Sequence, residues 1–263
     1  MAKNITILIT CIGGGGANNV IRSLRDSDRY NVEVIGTDSD RFLASKSLAD
    51  KTYVIPRGDA DQYVDSLNRI ISEHNVDVFI PQHETEVERV SDEREEFDCS
   101  VLLPQAKSVE LCLDKLRLQR RLDEAGFNVP ETLSLADYSV SEAFDKLSDG
   151  EPLWFRSRFG SGSMEALPLE NIDQAQQWIK YCEKNGGDRS NFTLSEFLPG
   201  KDYQIFTLWE EGELIIGKAC DRRRYFFGQE HTGASTPLVS RMVDDEQLNE
   251  TAREVINEVA PNA

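Results

Sequence analysis

Long hydrophobic runs are missing from this sequence of 263 residues, although 39% of the residues are hydrophobic. A helix that spans a membrane needs about 20 consecutive, mostly apolar residues, so the sequence predicts a soluble globular protein. The first residues, Met-Ala-Lys-Asn, lead directly into an apolar strand-like segment and not into a signal peptide. We therefore predict a cytoplasmic protein without a membrane partner.

Cysteine and positive charge are also scarce. The five cysteines are odd in number and lack the short paired spacings of a disulfide framework or a zinc site. They are Cys11, Cys99, Cys112, Cys182 and Cys220. The 47 Asp and Glu residues outnumber the 29 Lys and Arg residues, which leaves a net charge of -18. Nucleic acids are bound through basic surfaces, so no nucleic-acid partner is predicted.

Short apolar runs alternate with helical patterns through the first part of the chain. The runs are Ile5–Ile9, Val32–Ile35, Thr52–Ile55, Val76–Ile80 and Val101–Leu103, and the longest helical pattern runs from Glu84 to Phe97. Such alternation predicts a parallel sheet with helices on its faces. We assign residues 1–112 to an open, doubly wound α/β domain.

The second part of the chain begins with a predicted helix, Val109–Ala125, which ends at Gly126. Predicted strands and helices then follow in a mixed order, as expected for an α+β module. Two strands, Asp202–Trp209 and Glu213–Cys220, flank the turn Glu210–Gly212 and predict a hairpin. A helix from Glu246 to Val259 is the last predicted element.

Four glycines, Gly13–Gly16, lie between the first strand and its helix, where backbone amides attract anions. This pattern allows a dinucleotide (NAD) site in which Asp38, at the end of the second strand, binds ribose. The usual fingerprint has a third glycine where this sequence has Asn18 and Asn19. The alternative is structural: the glycines permit a tight turn and Asp38 caps it.

Three polar residues, His83, Glu84 and Glu86, follow the fourth predicted strand. They lie at the carboxyl end of the strand, where ligands bind in open α/β sheets. His83 and Glu84 could contact a substrate. The two glutamates equally suit the first turn of a helix, whose dipole favours negative charge there, and we favour this interpretation.

A strand with two arginines leads into a loop of small residues, Gly160–Ser163. A triphosphate needs fixed positive charge and a backbone that can approach it without intervening side chains. Arg156 and Arg158 are two residues apart and therefore share a face of the strand. We predict that one of them, preferably Arg156, contacts phosphate. By itself the pattern also fits an exposed hairpin turn.

The segment Leu194–Tyr203 combines a strand edge, a Pro-Gly turn and an acid. A strand edge can pair with adenine through its backbone, and the acid can reach ribose hydroxyls. The order of Asp114-Lys115 at the head of a helix, Arg156 with its glycine loop, and this segment resembles the ATP-grasp superfamily. The nearest likeness is to the carbamoyl phosphate synthetase large-subunit-like branch. It extends over nearly the whole chain, because the glycine-rich first domain looks like the pre-ATP-grasp domain.

The resemblance implies roles for individual residues. The nucleotide-binding residues that it implies are Lys115, Arg156, Gly160, Ser161, Gly162, Ser163, Glu196, Phe197, Leu198 and Asp202. The catalytic residues that it implies are Arg156, Lys218 and Arg222. The run Arg222–Arg224 also fits a solvated strand face paired with surface acids, and Thr232–Thr236 fits either a substrate loop or a plain turn.

The resemblance also implies a division of the chain. Residues 1–112 correspond to the pre-ATP-grasp (Rossmann-like) domain, residues 113–197 to the first ATP-grasp lobe with the phosphate loop, and residues 198–263 to part of the second lobe. Asp244–Glu246 are interpreted as helix-capping acids rather than metal ligands. The carboxylates that hold metal in the family are expected beyond Ala263, which predicts a truncated, incomplete ATP-grasp module.

The implied activity is that of an ATP-dependent carboxylate-amine ligase. Such enzymes use ATP and Mg²⁺ to form an acylphosphate from a small-molecule carboxylate, which an amine then captures. A homo-oligomer is compatible with this interpretation. For this chain we expect weak nucleotide binding with little or no turnover. The alternatives are an NAD-binding sensor and a non-catalytic nucleotide-binding fragment.

Overall fold

The computed structural model describes residues 2–162, 165–225 and 237–261. The chain forms two compact units, Met1–Val109 (unit 1) and Glu110–Ala263 (unit 2). Unit 1 is built on a parallel sheet and unit 2 on two antiparallel sheets, which confirms the predicted α/β fold class. The finer division at residues 112 and 197 stays a prediction. Among the described residues, no helix is both long and apolar enough to cross a membrane.

Unit 1 contains a five-stranded parallel sheet with the order β3-β2-β1-β4-β5. The strands are β1 (Lys3–Ile9), β2 (Tyr30–Asp38), β3 (Lys51–Val54), β4 (Val78–Ile80) and β5 (Ser100–Val101). The chain moves outward from β1 through β2 to β3, and then returns to add β4 on the other side of β1. In sheets of this kind, ligands bind beside this reversal point, at the carboxyl ends of the strands.

Helices cover both faces of this sheet. They are α1 (Gly15–Arg25), α2 (Arg41–Ala44), α3 (Tyr63–His74) and α4 (Glu84–Asp92), followed by a 3-10 turn at Arg94–Glu96. Successive strand side chains point to opposite faces. Leu8 and Phe79 accordingly pack in the cluster that contains α3, whereas Ile7 and Ile9 pack in the cluster that contains α1. This arrangement agrees with the predicted doubly wound domain.

The predicted helix Val109–Ala125 is instead two helices, α5 (Ala106–Leu113) and α6 (Lys115–Glu124). Asp114 lies between them with an extended backbone, and its carboxylate accepts hydrogen bonds from the amides of Leu116 and Arg117. Aspartate is a preferred residue at a helix N-cap. The prediction of one helix was wrong because the apolar spacing continues across this cap.

The first sheet of unit 2 is antiparallel, with the order β6-β9-β7-β8. Its strands are β6 (Thr132–Ser134), β7 (Leu153–Ser157), β8 (Leu167–Leu169) and β9 (Phe192–Glu196), and α7 (Val140–Leu147) and α8 (Ile172–Lys184) pack against it. Leu153 and Phe155 of β7 are buried under these helices. Because side chains alternate along a strand, Trp154 and Arg156 project from the opposite face.

The second sheet of unit 2 has the order β10-β11-β12. Its strands are β10 (Tyr203–Glu210), β11 (Glu213–Tyr225) and β12 (Pro237–Val243), and α9 (Glu246–Val259) follows. The backbone φ angles of Glu211 and Gly212 are 51° and 83°, as a tight hairpin turn of the primed type requires. The predicted hairpin is confirmed. The carboxylate of Asp245 accepts a hydrogen bond from the Gln247 amide, which confirms its capping role.

Candidate functional site

A cavity of about 810 Å³ lies within unit 2. Its walls come from the exposed face of β7, from the end of β9 with the turn that follows, and from β11. The predicted site residues that line it are Arg156, Glu196, Phe197, Leu198, Asp202 and Arg222. Lys115, Gly160–Gly162 and Lys218 are not among the lining residues. Ser163 and the segment Thr232–Thr236 lie outside the described residues.

The charge of this cavity differs from that of the whole protein. Its described walls carry five basic and three acidic side chains, whereas the chain as a whole has a net charge of -18. The basic residues are Arg156, Lys201, Arg222, Arg223 and Arg224, and the acidic residues are Glu196, Asp202 and Asp221. A locally positive cavity attracts an anionic ligand.

Of the two arginines on and just after β7, Arg156 and Arg158, only Arg158 has an acidic partner among the described residues. Nη2 of Arg156 donates to the side-chain oxygen of Gln119 at 3.4 Å, a long contact with a neutral group. Its Nε is shielded from solvent and has no hydrogen-bond partner among the described residues. Burial lowers the pKa of Arg156, because desolvation disfavours the charged form. An anion in the cavity would compensate this charge.

Arg158 has a different environment, although it is only two residues further on. Its Nη2 and Nε lie 2.5 Å and 3.2 Å from the two carboxylate oxygens of Asp114. Arg158 is also absent from the cavity walls. Burial alone would raise the pKa of Asp114, but the hydrogen bonds from Arg158 and from the amides of Arg117 and Leu116 lower it. Arg156 therefore lines the cavity, whereas Arg158 forms an ion pair with Asp114 outside it.

The lowered pKa of Asp114 makes a testable contribution to stability. Such a group stabilises the fold above its ordinary pKa of 3.8 and loses that contribution as the pH falls through its lower folded value. We expect Asp114→Asn to lower the free energy of unfolding by about 1–3 kcal/mol at pH 7. The difference from wild type should shrink below about pH 4 in urea titrations across pH.

The exposed Asp149 offers a matched control for this prediction. It makes no hydrogen bond or ion pair within the described part of the chain, so Asp149→Asn should leave the pH profile unchanged. A stability difference for Asp114→Asn that is independent of pH would contradict the assignment of the effect to the charged pair.

Asp202, the predicted ribose acid, is held by two neighbours. Its Oδ2 lies 3.0 Å from Nη1 of Arg222 and accepts a hydrogen bond of 2.5 Å from the Tyr225 hydroxyl. The Arg222 guanidinium also lies 5.1 Å from the centre of the Tyr225 ring. Burial, together with the hydrogen bond to Asp202, raises the pKa of Tyr225 to about 12. The carboxylate is thus oriented at the cavity wall before any ligand binds.

The other acid on β11, Asp221, is only 2% exposed. Its Oδ2 lies 2.5 Å from Nη2 of Arg223 and 3.6 Å from Nη2 of Arg241. Arg222 and Arg223 are therefore both paired with aspartates. The structural interpretation of the arginine run expected surface acids, whereas Asp221 is buried and Arg222 lines the cavity. The catalytic role of Arg222 stays a prediction.

The predicted adenine hinge continues from the end of β9. The backbone groups of Phe197 and Leu198 make no hydrogen bond to any residue that the structure describes. The carboxylate of Glu196 accepts a hydrogen bond of 2.8 Å from the Glu131 amide, and the Phe197 ring lies 6.1 Å from the Trp154 ring. A free backbone edge beside two aromatic rings suits a planar base.

Lys115 and the glycines occupy the base and turn of the loop between β7 and β8. The ammonium group of Lys115 donates hydrogen bonds to the backbone carbonyls of Arg158 and Gly160. Gly160 and Gly162 have φ angles of 85° and 74°, which residues with a side chain rarely adopt. Lys218, in contrast, is exposed on β11 opposite Phe206. The assigned roles of these residues stay predictions.

The first glycine cluster of unit 1 forms a packed turn. Both carboxylate oxygens of Asp38 accept backbone hydrogen bonds, one from Gly13 at 3.2 Å and one from Asp40 at 3.0 Å. A Cβ atom added to Gly13 would lie 2.2 Å from the Leu43 carbonyl oxygen. These contacts favour the structural interpretation over a ribose-binding acid next to an open phosphate turn.

A buried group near this turn was not expected from the sequence. Glu86 is 5% exposed, and its Oε2 accepts a hydrogen bond of 3.4 Å from the Cys11 thiol. Burial and the neighbouring carboxylate raise the pKa of Cys11, so the thiol stays protonated and is a poor nucleophile. His83 caps α4 by accepting a hydrogen bond from the Thr85 amide. No sequence pattern indicates the contact between Cys11 and Glu86. In the structure, the backbone of Cys11 has a positive φ of 48°.

Comparisons with known proteins relate the two units to known folds. The family model described as the PylC-like N-terminal domain matches residues 7–102. L-amino acid ligase from Bacillus licheniformis is similar in structure, with a TM-score of 0.67, 14% identity, and coverage of 98% of this chain and 61% of that chain. The chain as a whole shares the fold of this ATP-grasp ligase, and residues 7–102 match the PylC-like model.

Two further ATP-grasp structures illustrate the likeness. N5-carboxyaminoimidazole synthetase from Staphylococcus aureus, complexed with ADP, has a TM-score of 0.65, 16% identity, and coverage of 100% of this chain and 64% of that chain. The biotin carboxylase–beta-gamma-ATP complex from Campylobacter jejuni has a TM-score of 0.70, 15% identity, and coverage of 97% and 59%. The chain thus spans about three fifths of the length of these proteins. A search among curated proteins found no match.

Magnesium is implied by the ATP-grasp resemblance, but the described residues do not fit it. Within residues 2–162, 165–225 and 237–261, no group of three or more His, Cys, Asp or Glu side chains could hold a metal ion. Asp202 and Asp221 of the cavity are both engaged by arginines. No role that we assign to a residue of this chain depends on a metal ion.

Proposed function

We propose that this chain binds ATP in the cavity of unit 2, with Arg156 as its main phosphate contact. The observation that carries this proposal is the partly desolvated guanidinium group of Arg156, which lines the cavity and lacks an acidic partner among the described residues. Guanidinium groups form strong charge-assisted hydrogen bonds with phosphate oxygens. In a chain with a net charge of -18, a guanidinium group without an acidic partner among the described residues stands out and indicates a site for an anion.

The other end of the cavity suits a nucleoside. The unpaired backbone of Phe197 and Leu198 can exchange hydrogen bonds with the edge of adenine, and the rings of Trp154 and Phe197 offer apolar contact area. Asp202 is oriented by Arg222 and Tyr225 and can accept a hydrogen bond from a ribose hydroxyl. The volume of about 810 Å³ is within the usual range for sites of small ligands.

The reaction that we propose for the whole protein is ATP-dependent ligation of a carboxylate to an amine. A carboxylate oxygen attacks the γ-phosphorus of ATP, which releases ADP and leaves an acylphosphate. The amine nitrogen then attacks the acyl carbon, which releases inorganic phosphate, and loses a proton as the amide forms. Arg156 and Arg222, which line the cavity, would stabilise the negative charge on the phosphate oxygens, whereas the implied role of Lys218 has no support from the cavity walls. The solved structures of ligases and carboxylases with this fold support the proposal at the level of the reaction class.

The first test is a comparison of nucleotides by isothermal titration calorimetry. We expect ATP and ADP to bind with one site per chain and NADH to give no heat of binding. The reason is that the cavity of unit 2 offers phosphate and base contacts, whereas the first glycine turn is packed against Leu43. Binding of NADH without binding of ATP would contradict the proposal and favour a dinucleotide site.

A further inference from the structure

Gln119 is a buried amide in the middle of α6, and only 8% of this residue is exposed. Glutamine is mostly found at protein surfaces, and a buried side-chain amide needs hydrogen-bond partners. Its Nε2 donates to the Pro130 carbonyl and, at 2.5 Å, to the Thr132 hydroxyl. Its Oε1 accepts the contact of 3.4 Å from Nη2 of Arg156. The amide therefore joins α6 to the cavity wall, which includes Pro130 and Arg156.

The orientation of this amide is set by the chemistry of its neighbours. A backbone carbonyl only accepts hydrogen bonds and a guanidinium group only donates them, so Nε2 must face Pro130 and Oε1 must face Arg156. The Thr132 hydroxyl donates to the same Pro130 carbonyl at 3.2 Å, which leaves its oxygen to accept from Nε2. Gln119 thus presents a neutral acceptor to Arg156.

Helix α6 provides partners for both arginines of this region. Asp114, its N-cap residue, gives Arg158 a carboxylate. Gln119, further along the helix, gives Arg156 an amide oxygen. A carboxylate compensates the charge of a guanidinium group, whereas an amide oxygen accepts its hydrogen bond and leaves the charge in place. Because the two partners differ in charge, Arg156 is the arginine whose charge a ligand can compensate.

We propose that Gln119 is a positioning residue that directs the Arg156 guanidinium group at the cavity wall and, because it is neutral, leaves the charge of that group for the phosphates of the nucleotide. This inference rests on the proposed ATP site. Gln119 does not line the cavity, so it acts through Arg156 and is not a catalytic residue. Its amide also meets a requirement that a carboxylate cannot meet, since only the amide can donate to the Pro130 carbonyl.

The test is calorimetry of the full chain with ATP and with adenosine. Gln119→Glu keeps an acceptor beside Arg156 but compensates its charge, so ATP binding should weaken by about 10- to 100-fold. Adenosine has no phosphate, so its affinity should change by less than about threefold. Gln176→Glu is the matched control, because it makes the same change of charge at an exposed position of α8 outside the cavity walls. It should match wild type with both ligands.

Two further variants separate the role through Arg156 from an effect on folding. Gln119→Met removes the acceptor without adding charge and should weaken ATP binding by about three- to tenfold, the change that corresponds to the loss of one hydrogen bond. In a chain that already carries Arg156→Gln, the addition of Gln119→Glu should weaken ATP binding by less than about threefold, because the group through which Gln119 acts is gone.

Three results would overturn this inference alone. They are an unchanged ATP affinity in Gln119→Glu, equal losses of affinity for ATP and adenosine, and equal losses with and without Arg156→Gln. If Gln119→Glu does not fold, Gln119→Met decides, and an ATP affinity equal to that of wild type overturns the inference. Absence of ATP binding by wild type would instead overturn the proposed function.

Discussion

Replacing Arg156 with glutamine is expected to weaken ATP binding by about 10- to 100-fold, because hydrogen bonds to charged groups contribute roughly 1.5–3 kcal/mol. Glutamine keeps a polar side chain at the wall but removes the charge that the phosphates would compensate. The measurement is calorimetric titration with ATP. Affinity equal to that of wild type would remove Arg156 from the site and with it the main support for the proposed function.

The same substitution should not destabilise the free protein. In the wild type, Nε of Arg156 is buried without a hydrogen-bond partner among the described residues, so a neutral side chain relieves a desolvation penalty. We therefore expect an unchanged or higher melting temperature together with weaker ATP binding. Arg253→Gln is the control, because Arg253 contacts Glu246 and Glu250 on the surface of α9 and lies outside the cavity walls. It should leave ATP affinity unchanged.

Replacing Gly13 with alanine is expected to destabilise the protein by about 1–3 kcal/mol or more, as extra atoms in well-packed places do. The added Cβ would lie 2.2 Å from the carbonyl oxygen and 2.5 Å from the carbonyl carbon of Leu43. These are backbone atoms, which cannot rotate away as the end of a side chain can. Urea unfolding, followed by circular dichroism, measures the effect.

A neighbouring glycine provides the control with the opposite sign. A Cβ atom added to Gly15, the first residue of α1, would meet no atom within 4 Å. Gly15→Ala should therefore stabilise the protein by about 0.4–1 kcal/mol, because alanine restricts the unfolded chain. Equal effects of the two substitutions would contradict the conclusion that close packing against Leu43 requires glycine at position 13.

Much of the fold was predictable because it depends on local patterns. Apolar runs separated by helical patterns indicated the parallel sheet of unit 1, and the Glu-Gly turn indicated the hairpin of β10 and β11. Apolar spacing by itself missed the break at Asp114, because the spacing continues across this capping residue, whereas the resemblance correctly placed Asp114-Lys115 at the head of a helix. A local signal for the break was present, because aspartate is a strong N-cap residue.

The candidate site was only partly predictable. The alternation along β7 implied that Arg156 and Arg158 would act on one face, but Arg158 lies beyond the last residue of the strand and turns to Asp114. Lys115 contacts loop carbonyls, and Lys218 lies away from the cavity walls. Buried Glu86 had no signal beyond its place in the first turn of α4, because burial depends on residues that are distant in the chain.

The sequence by itself determined the order of the elements, the positions of the glycines and the kind of ligand that the arginine and glycine residues suit. These properties follow from the backbone preferences and charges of neighbouring residues. Only the tertiary structure decided which arginine keeps an uncompensated charge. The reason is that the partner of Arg158, Asp114, lies 44 positions earlier in the chain, and folding brings the two side chains into contact while it leaves Arg156 facing the cavity.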